Sequence, residues 1–179
     1  MPRYVAFLRA INVGGHVVKM AALKRHFEEA GCLEVETVIA SGNVVFASAS
    51  KSPAALERRI AAHLEERLGY AVATFLRTPS ELAVVAGHRP FPRAELEATG
   101  HGLYVGFLAA APDAGAQRRV LALQTPTDAL AVLGRELYWR RHGGFSDSEI
   151  SGAILERALG QPTTLRNVTT VRKMAAKTA

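Results

Sequence analysis

The segment Leu8-Arg9-Ala10-Ile11-Asn12-Val13-Gly14-Gly15 runs out of an apolar stretch into paired glycines and reaches Lys19 where a helical pattern begins. Adjacent glycines let backbone N–H groups approach an anion, and the positive end of the following helix adds to the charges of Arg9 and Lys19. This is the chemistry of a phosphate or carboxylate cradle. The P-loop order G-x-x-x-x-G-K-[ST] and the dinucleotide fingerprint G-x-G-x-x-G are both missing, and the glycine pair serves equally well simply to turn the chain. Ser41-Gly42-Asn43 is a second polar group, placed between two strand-like runs where a tight hairpin needs residues that tolerate positive backbone angles. Arg166 and Asn167 stand among threonines at an expected helix start, where they can hold a phosphate or a carbonyl, or clamp the fold. Lys173 and Lys177 read as cations complementing the last turn of a surface helix.

The elements that must position these residues follow from periodicity. Tyr4 to Ile11 is a mostly buried strand, and Met20, Leu23, Phe27 and Ala30 repeat at helical spacing before a capping Gly31. Val35 to Ala40 and Val44 to Ala47 form a hairpin around Ser41-Gly42-Asn43. Ser52 and Pro53 open a second helix with a Leu56, Ile60, Leu64, Leu68 stripe ending at Gly69, and Val72 to Leu76 is a fourth strand. Strand, helix, strand, strand, helix, strand is the ferredoxin-like order. In that topology the hairpin comes beside the end of the first strand, so Arg9, Asn12, Gly14, Gly15, Lys19, Ser41 and Asn43 gather at one edge. Two cations, a hydroxyl and amides without a carboxylate suit anion binding rather than hydrolysis.

The same order recurs in the second half. Thr78-Pro79-Ser80-Glu81 is a capping box, and a Pro/Gly-rich stretch from His88 to Gly102 reads as a connection. Leu103 to Leu108 is strand-like, Pro112 to Leu123 helical, and Leu130 to Leu133 with Glu136 to Arg140 form a hairpin around Gly134-Arg135. Ser146-Asp147-Ser148-Glu149 is read as the box that opens the next helix, which ends at Gly160, and a last helix starts near Asn167. The expected fold is therefore α+β: two ferredoxin-like (βαββαβ) halves from an internal duplication, residues 1–90 and 91–179, with a C-terminal helix. This rests on element order, not on a residue-level repeat. Strands apolar on both sides imply that the halves pack on each other or on another chain, although one larger mixed sheet fits the same pattern.

The Leu8–Gly15 block, Ser41-Gly42-Asn43-Val44-Val45-Phe46 and the Arg166-Asn167 segment together resemble the motifs of a bacterial family, domain of unknown function 1697. The resemblance runs from the first strand to the last helix and implies no particular activity. Family members usually carry Gly where Ala10 stands and Trp-Asn where Val168-Thr169 stand. Without that aromatic residue, base stacking on the last helix is not expected.

With 179 residues, 49% hydrophobic and 21% charged, the chain can bury a core and is not a disordered tail. A net charge of +6 and a pI near 9.9 favour an anionic partner. Residues 1–90 and 91–179 each carry 11 Lys/Arg and 8 Asp/Glu, so neither half is a dedicated basic module. One cysteine, Cys32, forms no intrachain disulfide, no apolar run nears the roughly 20 residues of a membrane helix, and no signal-peptide stretch follows Met1. A cytoplasmic location is expected. The histidines His16, His26, His63, His88, His101 and His142 show neither H-E-x-x-H nor paired ligand spacing, Glu28 and Glu29 read as solvated surface, and no G-x-S-x-G elbow exists. No metal or cofactor is therefore expected, and the sequence sets no oligomeric state. The leading expectation is binding of an anionic small molecule or nucleotide. Its alternatives are single-stranded nucleic-acid binding, for which the third strand supplies only Phe46, and an enzyme on a phosphorylated or acylated substrate using Arg9 or Lys19.

Overall fold

The computed structural model describes residues 1–12, 15–39, 42–143 and 148–179. The chain forms two compact units, residues 1–83 with 174–179, and residues 84–173. Among the described residues no helix is long and apolar enough to cross a membrane.

The first unit contains β1 (Arg3–Leu8), α1 (Met20–Glu29), β2 (Leu33–Thr37), β3 (Asn43–Ala47), α2 (Pro53–Leu68) and β4 (Thr74–Arg77). Its strands lie in the order β2-β3-β1-β4, and every neighbouring pair is antiparallel. The local signals act as their chemistry demands. Ser52 accepts the Ala55 N–H at 3.3 Å with Pro53 at the first helical position, and Gly69 ends α2 in the left-handed conformation at φ 80°. Tyr4, Ala6 and Leu8 of β1 and Val44 and Phe46 of β3 pack with Leu23, Phe27, Leu56, Ile60 and Leu64 of the two helices. Each of the leucine, isoleucine, valine and phenylalanine side chains among them, fully buried, contributes about 1.5–3 kcal/mol. Val5, Phe7, Val45 and Phe75, which alternate with them, are buried as well. α3 (Pro79–Gly87) opens on the expected capping box, Glu81 accepting the Thr78 N–H at 2.8 Å while Thr78 Oγ1 accepts the Glu81 N–H at 3.2 Å.

The second unit adds α4 (Arg93–Glu97), β5 (His101–Phe107), α5 (Ala114–Leu121), β6 (Asp128–Leu133), β7 (Glu136–His142), α6 (Gly152–Leu159) and β8 (Thr164–Asn167). Its sheet order, β6-β7-β5-β8, repeats that of the first. α7 (Val168–Thr178) closes the chain. The last helix starts where expected, at Val168 just after Asn167, but the residues before it, Arg166 included, form a fourth strand, β8, paired antiparallel with β5 so that Arg166 lies opposite Val105. One correction concerns this half. α6 does not open on Ser148-Glu149: its cap is Ser151, whose Oγ accepts the Ile154 N–H at 3.2 Å, while Ser148 Oγ donates to Asp128. Ser146 and Asp147 lie outside the described residues.

Register also reveals a repeat at the level of residues. Tyr4-Val5-Ala6-Phe7-Leu8 in β1 corresponds to Tyr104-Val105-Gly106-Phe107 of β5 and the following Leu108. Val5 faces Val45 and Arg77 on its two neighbours, and Val105 faces Tyr138 and Arg166. Tyr4 stacks on Phe46 with ring centroids 5.8 Å apart, and Tyr104 meets Trp139 at 6.2 Å. Arg77 and Arg166 are both buried, and each donates from Nη1 to the carbonyl of the residue before it, at 2.8 and 3.0 Å. Gly106 stands where the first unit has Ala6, and a Cβ there would lie 2.8 Å from Thr163 Oγ1, which donates to the Phe107 carbonyl.

The second core has a polar element of its own. Asp128 is 2% exposed and accepts from Trp139 Nε1 at 2.8 Å and from the hydroxyls of Thr125, Thr127 and Ser148. Arg141, equally buried, lies with Nε 3.8 Å from the carboxylate and its guanidinium over the Trp139 ring. A buried carboxylate is tolerated because donors surround it.

Candidate functional site

The described residues of the connection from β1 to α1 are pinned at several points. Leu8 N–H donates to the Gly42 carbonyl at 2.8 Å, and Arg9 N–H to the Ala73 carbonyl at 3.0 Å. Ile11 is buried, and its carbonyl accepts the Tyr70 hydroxyl at 3.4 Å. His16 stacks on that tyrosine with centroids 3.8 Å apart. Desolvation raises the Tyr70 pKa, which keeps its proton available to the carbonyl. Asn12 Oδ1 accepts the Val18 N–H at 2.8 Å, closing the loop on itself. Lys19 then starts α1 with its side chain exposed.

The hairpin joins this loop through Gly42, at φ 76°, where a Cβ would sit 2.8 Å from Ile11 and 2.9 Å from Leu8. Only glycine allows so close an approach. Two residues beside it carry backbone strain without being glycine: Ala10 at φ 56° and Ile39 at φ 54°. For a β-branched residue such as Ile39, which is 46% exposed, a left-handed conformation is a clear outlier.

Of the residues singled out in the sequence, Arg9, Asn12, Gly15, Lys19 and Asn43 belong to this loop and hairpin, whereas Gly14 and Ser41 lie outside the described residues. Asn43 is 1% exposed and turned inward, its Nδ2 donating to the Ile39 carbonyl at 3.3 Å, so its amide shapes the turn. Arg166 and Asn167 sit in the second unit. Arg166 donates from Nη1 to Thr164 Oγ1 at 2.6 Å, and burial pulls its guanidinium down to about 10. Asn167 Oδ1 accepts the Thr169 N–H at 2.8 Å and so caps α7.

Sequence reasoning missed a cleft of about 390 Å³ in the second unit, lined by Arg89, His101, Asn167, Thr169 and Arg172 among others. Its residues come from α3 and the turn after it, α4, β5, and the junction of β8 with α7, so no local spacing announces it. Cys32, expected to be a small buried residue, is 2% exposed, and desolvation pushes its thiol up to about 11 against the weaker pull of Arg59.

Known proteins place this architecture. A conserved bacterial protein, SP0830 from Streptococcus pneumoniae, shares the fold with a TM-score of 0.73 at 23% identity, over 99% of either chain. No curated protein matches. The model of the family described as "Protein of unknown function (DUF1697)" matches residues 1–138, which include the cationic loop, the hairpin and the Tyr4–Phe46 pair. The chain belongs to the DUF1697 family.

Proposed function

We propose that the protein is a duplicated ferredoxin-like unit whose first copy binds an anionic small ligand at the Arg9–Lys19 loop and the adjoining hairpin, the ligand carrying phosphate or carboxylate, as a nucleotide does. The observation that carries this reading is a difference between equivalent connections. β1 reaches α1 through residues 9–19, whereas β5 reaches α5 through residues 108–113; β2 and β3 are joined by residues 38–42, whereas β6 and β7 are joined by 134–135. The short connections are sufficient for this fold, so the extra length, the glycines and the strained Ala10 and Ile39 answer to something other than folding.

The sign of the charge follows from composition. Met1 to Phe27 contains Arg3, Arg9, Lys19, Lys24 and Arg25 and no acidic residue, and Thr37 to Leu56 contains none either. Without a carboxylate to act as base, the edge favours binding over catalysis. Single-stranded nucleic acid is disfavoured because Phe46, Tyr138 and Trp139 are buried, which leaves the central strands β3 and β7 without a stacking platform. One buried cysteine is compatible with a reducing cytoplasm.

Calorimetric titration with pyrophosphate and with adenosine monophosphate tests the proposal, beside anisotropy of a labelled single-stranded oligonucleotide at low and near-physiological salt. Arg9→Ala or Lys19→Ala should weaken anion binding about 10-fold, as expected from one charge-assisted hydrogen bond. Weakening by Arg172→Ala instead would move the site to the cleft of the second unit. Absence of binding by either anion would overturn the proposal, and tight oligonucleotide binding with a steep salt slope, unrelieved by nucleotide, would replace it with nucleic-acid recognition.

A further inference from the structure

α1 is ten residues, about 15 Å, long. At the end remote from the Arg9–Lys19 loop, the fold assembles three side chains that the sequence leaves apart. His26 and Glu29 lie one turn from each other on α1, and His63 reaches them from α2. His26 Nδ1 is 3.6 Å and His63 Nε2 is 3.4 Å from the same atom, Glu29 Oε2, and the three donor atoms all lie within 4.8 Å of one another. These separations are too long for good hydrogen bonds. Both imidazole nitrogens are buried atoms without a hydrogen-bond partner, a costly state that needs a reason.

Ligand atoms held tetrahedrally at the bond lengths of zinc lie about 3.3 Å apart, close to the two separations seen. We propose that His26, Glu29 and His63 form a binding site for a divalent transition-metal cation of the zinc type, with a further coordination position open to water or an external ligand. Two imidazoles and one carboxylate select zinc, cobalt or nickel over magnesium or calcium, which prefer oxygen donors. Glu29 supplies the carboxylate oxygen of this set. The last turn of α1 adds the negative end of a helix dipole.

Arg67 is the opposing group. Its Nε lies 3.2 Å from Glu29 Oε2, and its side chain is half exposed and able to swing into solvent. A metal and Arg67 compete for that oxygen, which makes the arginine a discriminating variant. If the cluster is only an ion pair with histidines beside it, removing Arg67 abolishes its purpose; if it is a metal site, removing Arg67 improves it.

The full chain, carrying no polyhistidine tag and stripped with a chelator, would be titrated with cobalt and followed by its visible absorption, then with zinc by calorimetry. Expected are one equivalent of tightly bound metal, a tetrahedral cobalt spectrum and a rise in melting temperature on saturation. His26→Ala, His63→Ala and Glu29→Gln should each weaken binding at least about 100-fold, more than loss of an outer-sphere partner costs. Arg67→Ala should tighten it several-fold, and His142→Ala, whose ring lies 4.7 Å from that of His101 in the second unit, should leave it unchanged. Circular dichroism of each variant verifies folding. The site falls if the wild type takes up no stoichiometric metal, if His63→Ala binds as well as the wild type, or if His142→Ala removes the signal. Because α1 separates it from the anion loop, either proposal can fail alone.

Discussion

In the first unit the chain leaving Leu8 takes eleven residues to reach its helix, and in the second the chain leaving Phe107 takes six. The strands on either side keep the same order and register, so the difference is confined to what lies between them. The second unit buries the pair Asp128 and Arg141 in its core; the first buries Arg77 and Asn43, while its Lys19 is exposed at the longer loop. Polar groups committed to the interior specify packing, and it is the longer loop that the proposed anion site uses.

Four predictions test how far the likeness reaches. The largest concerns the aromatic pairs. Phe46→Ala and Trp139→Ala should each lose about 3–5 kcal/mol in urea unfolding, since each empties an equivalent position in its core. A loss below about 1 kcal/mol in one of them would end the equivalence. Next, Trp139→Phe makes the second unit resemble the first while removing the indole donor from Asp128, and should cost about 1–3 kcal/mol. A neutral result would show that the hydroxyls of Thr125, Thr127 and Ser148 suffice.

Smaller effects come from the backbone. Ala10→Gly should stabilise the protein by about 0.5–1 kcal/mol, because glycine removes the cost of a side chain at φ 56°. Ala109→Gly, just past the corresponding strand and not at positive φ, should destabilise by about 0.5 kcal/mol through the freer unfolded chain. Equal signs would mean that Ala10 bears no strain. The smallest effect is confined to Cys32. Its thiol stays protonated in the fold up to about 11, while in the unfolded chain it ionises near 9. Below pH 9 it contributes nothing to pH dependence; from there to about pH 11 the unfolded state loses the proton first, and stability falls as pH rises. Urea midpoints across that window should decline less steeply in Cys32→Ala, and thiol labelling at pH 8 should wait on unfolding.

Much of this was legible in the sequence because it was local. Ser52-Pro53, Thr78 to Glu81 and the glycines at 69 and 160 announce their turns through groups that bond within a few residues. What escaped depends on distant partners. Thr164–Asn167 is short and polar, and only its pairing with β5 makes it a strand. α6 is capped by Ser151, which the sequence reading did not single out, while Ser148 of the expected box engages Asp128, twenty residues away. The four identities among five residues at Tyr4 and Tyr104 are too few to stand out until equal registers give them meaning. His26 and His63 are 37 positions apart and meet because two helices pack on one sheet.

Gly106 sets a limit on the likeness of the two units. A methyl group sits buried at Ala6 without difficulty, yet at Gly106 the space is taken by the Thr163 hydroxyl, which bonds the neighbouring carbonyl. The two central strands therefore no longer fit each other's places: grafting β1 into the second sheet drives a Cβ against Thr163, and grafting β5 into the first leaves a void beside α1 and α2. Thr163 therefore bars an exchange of central strands between the two units.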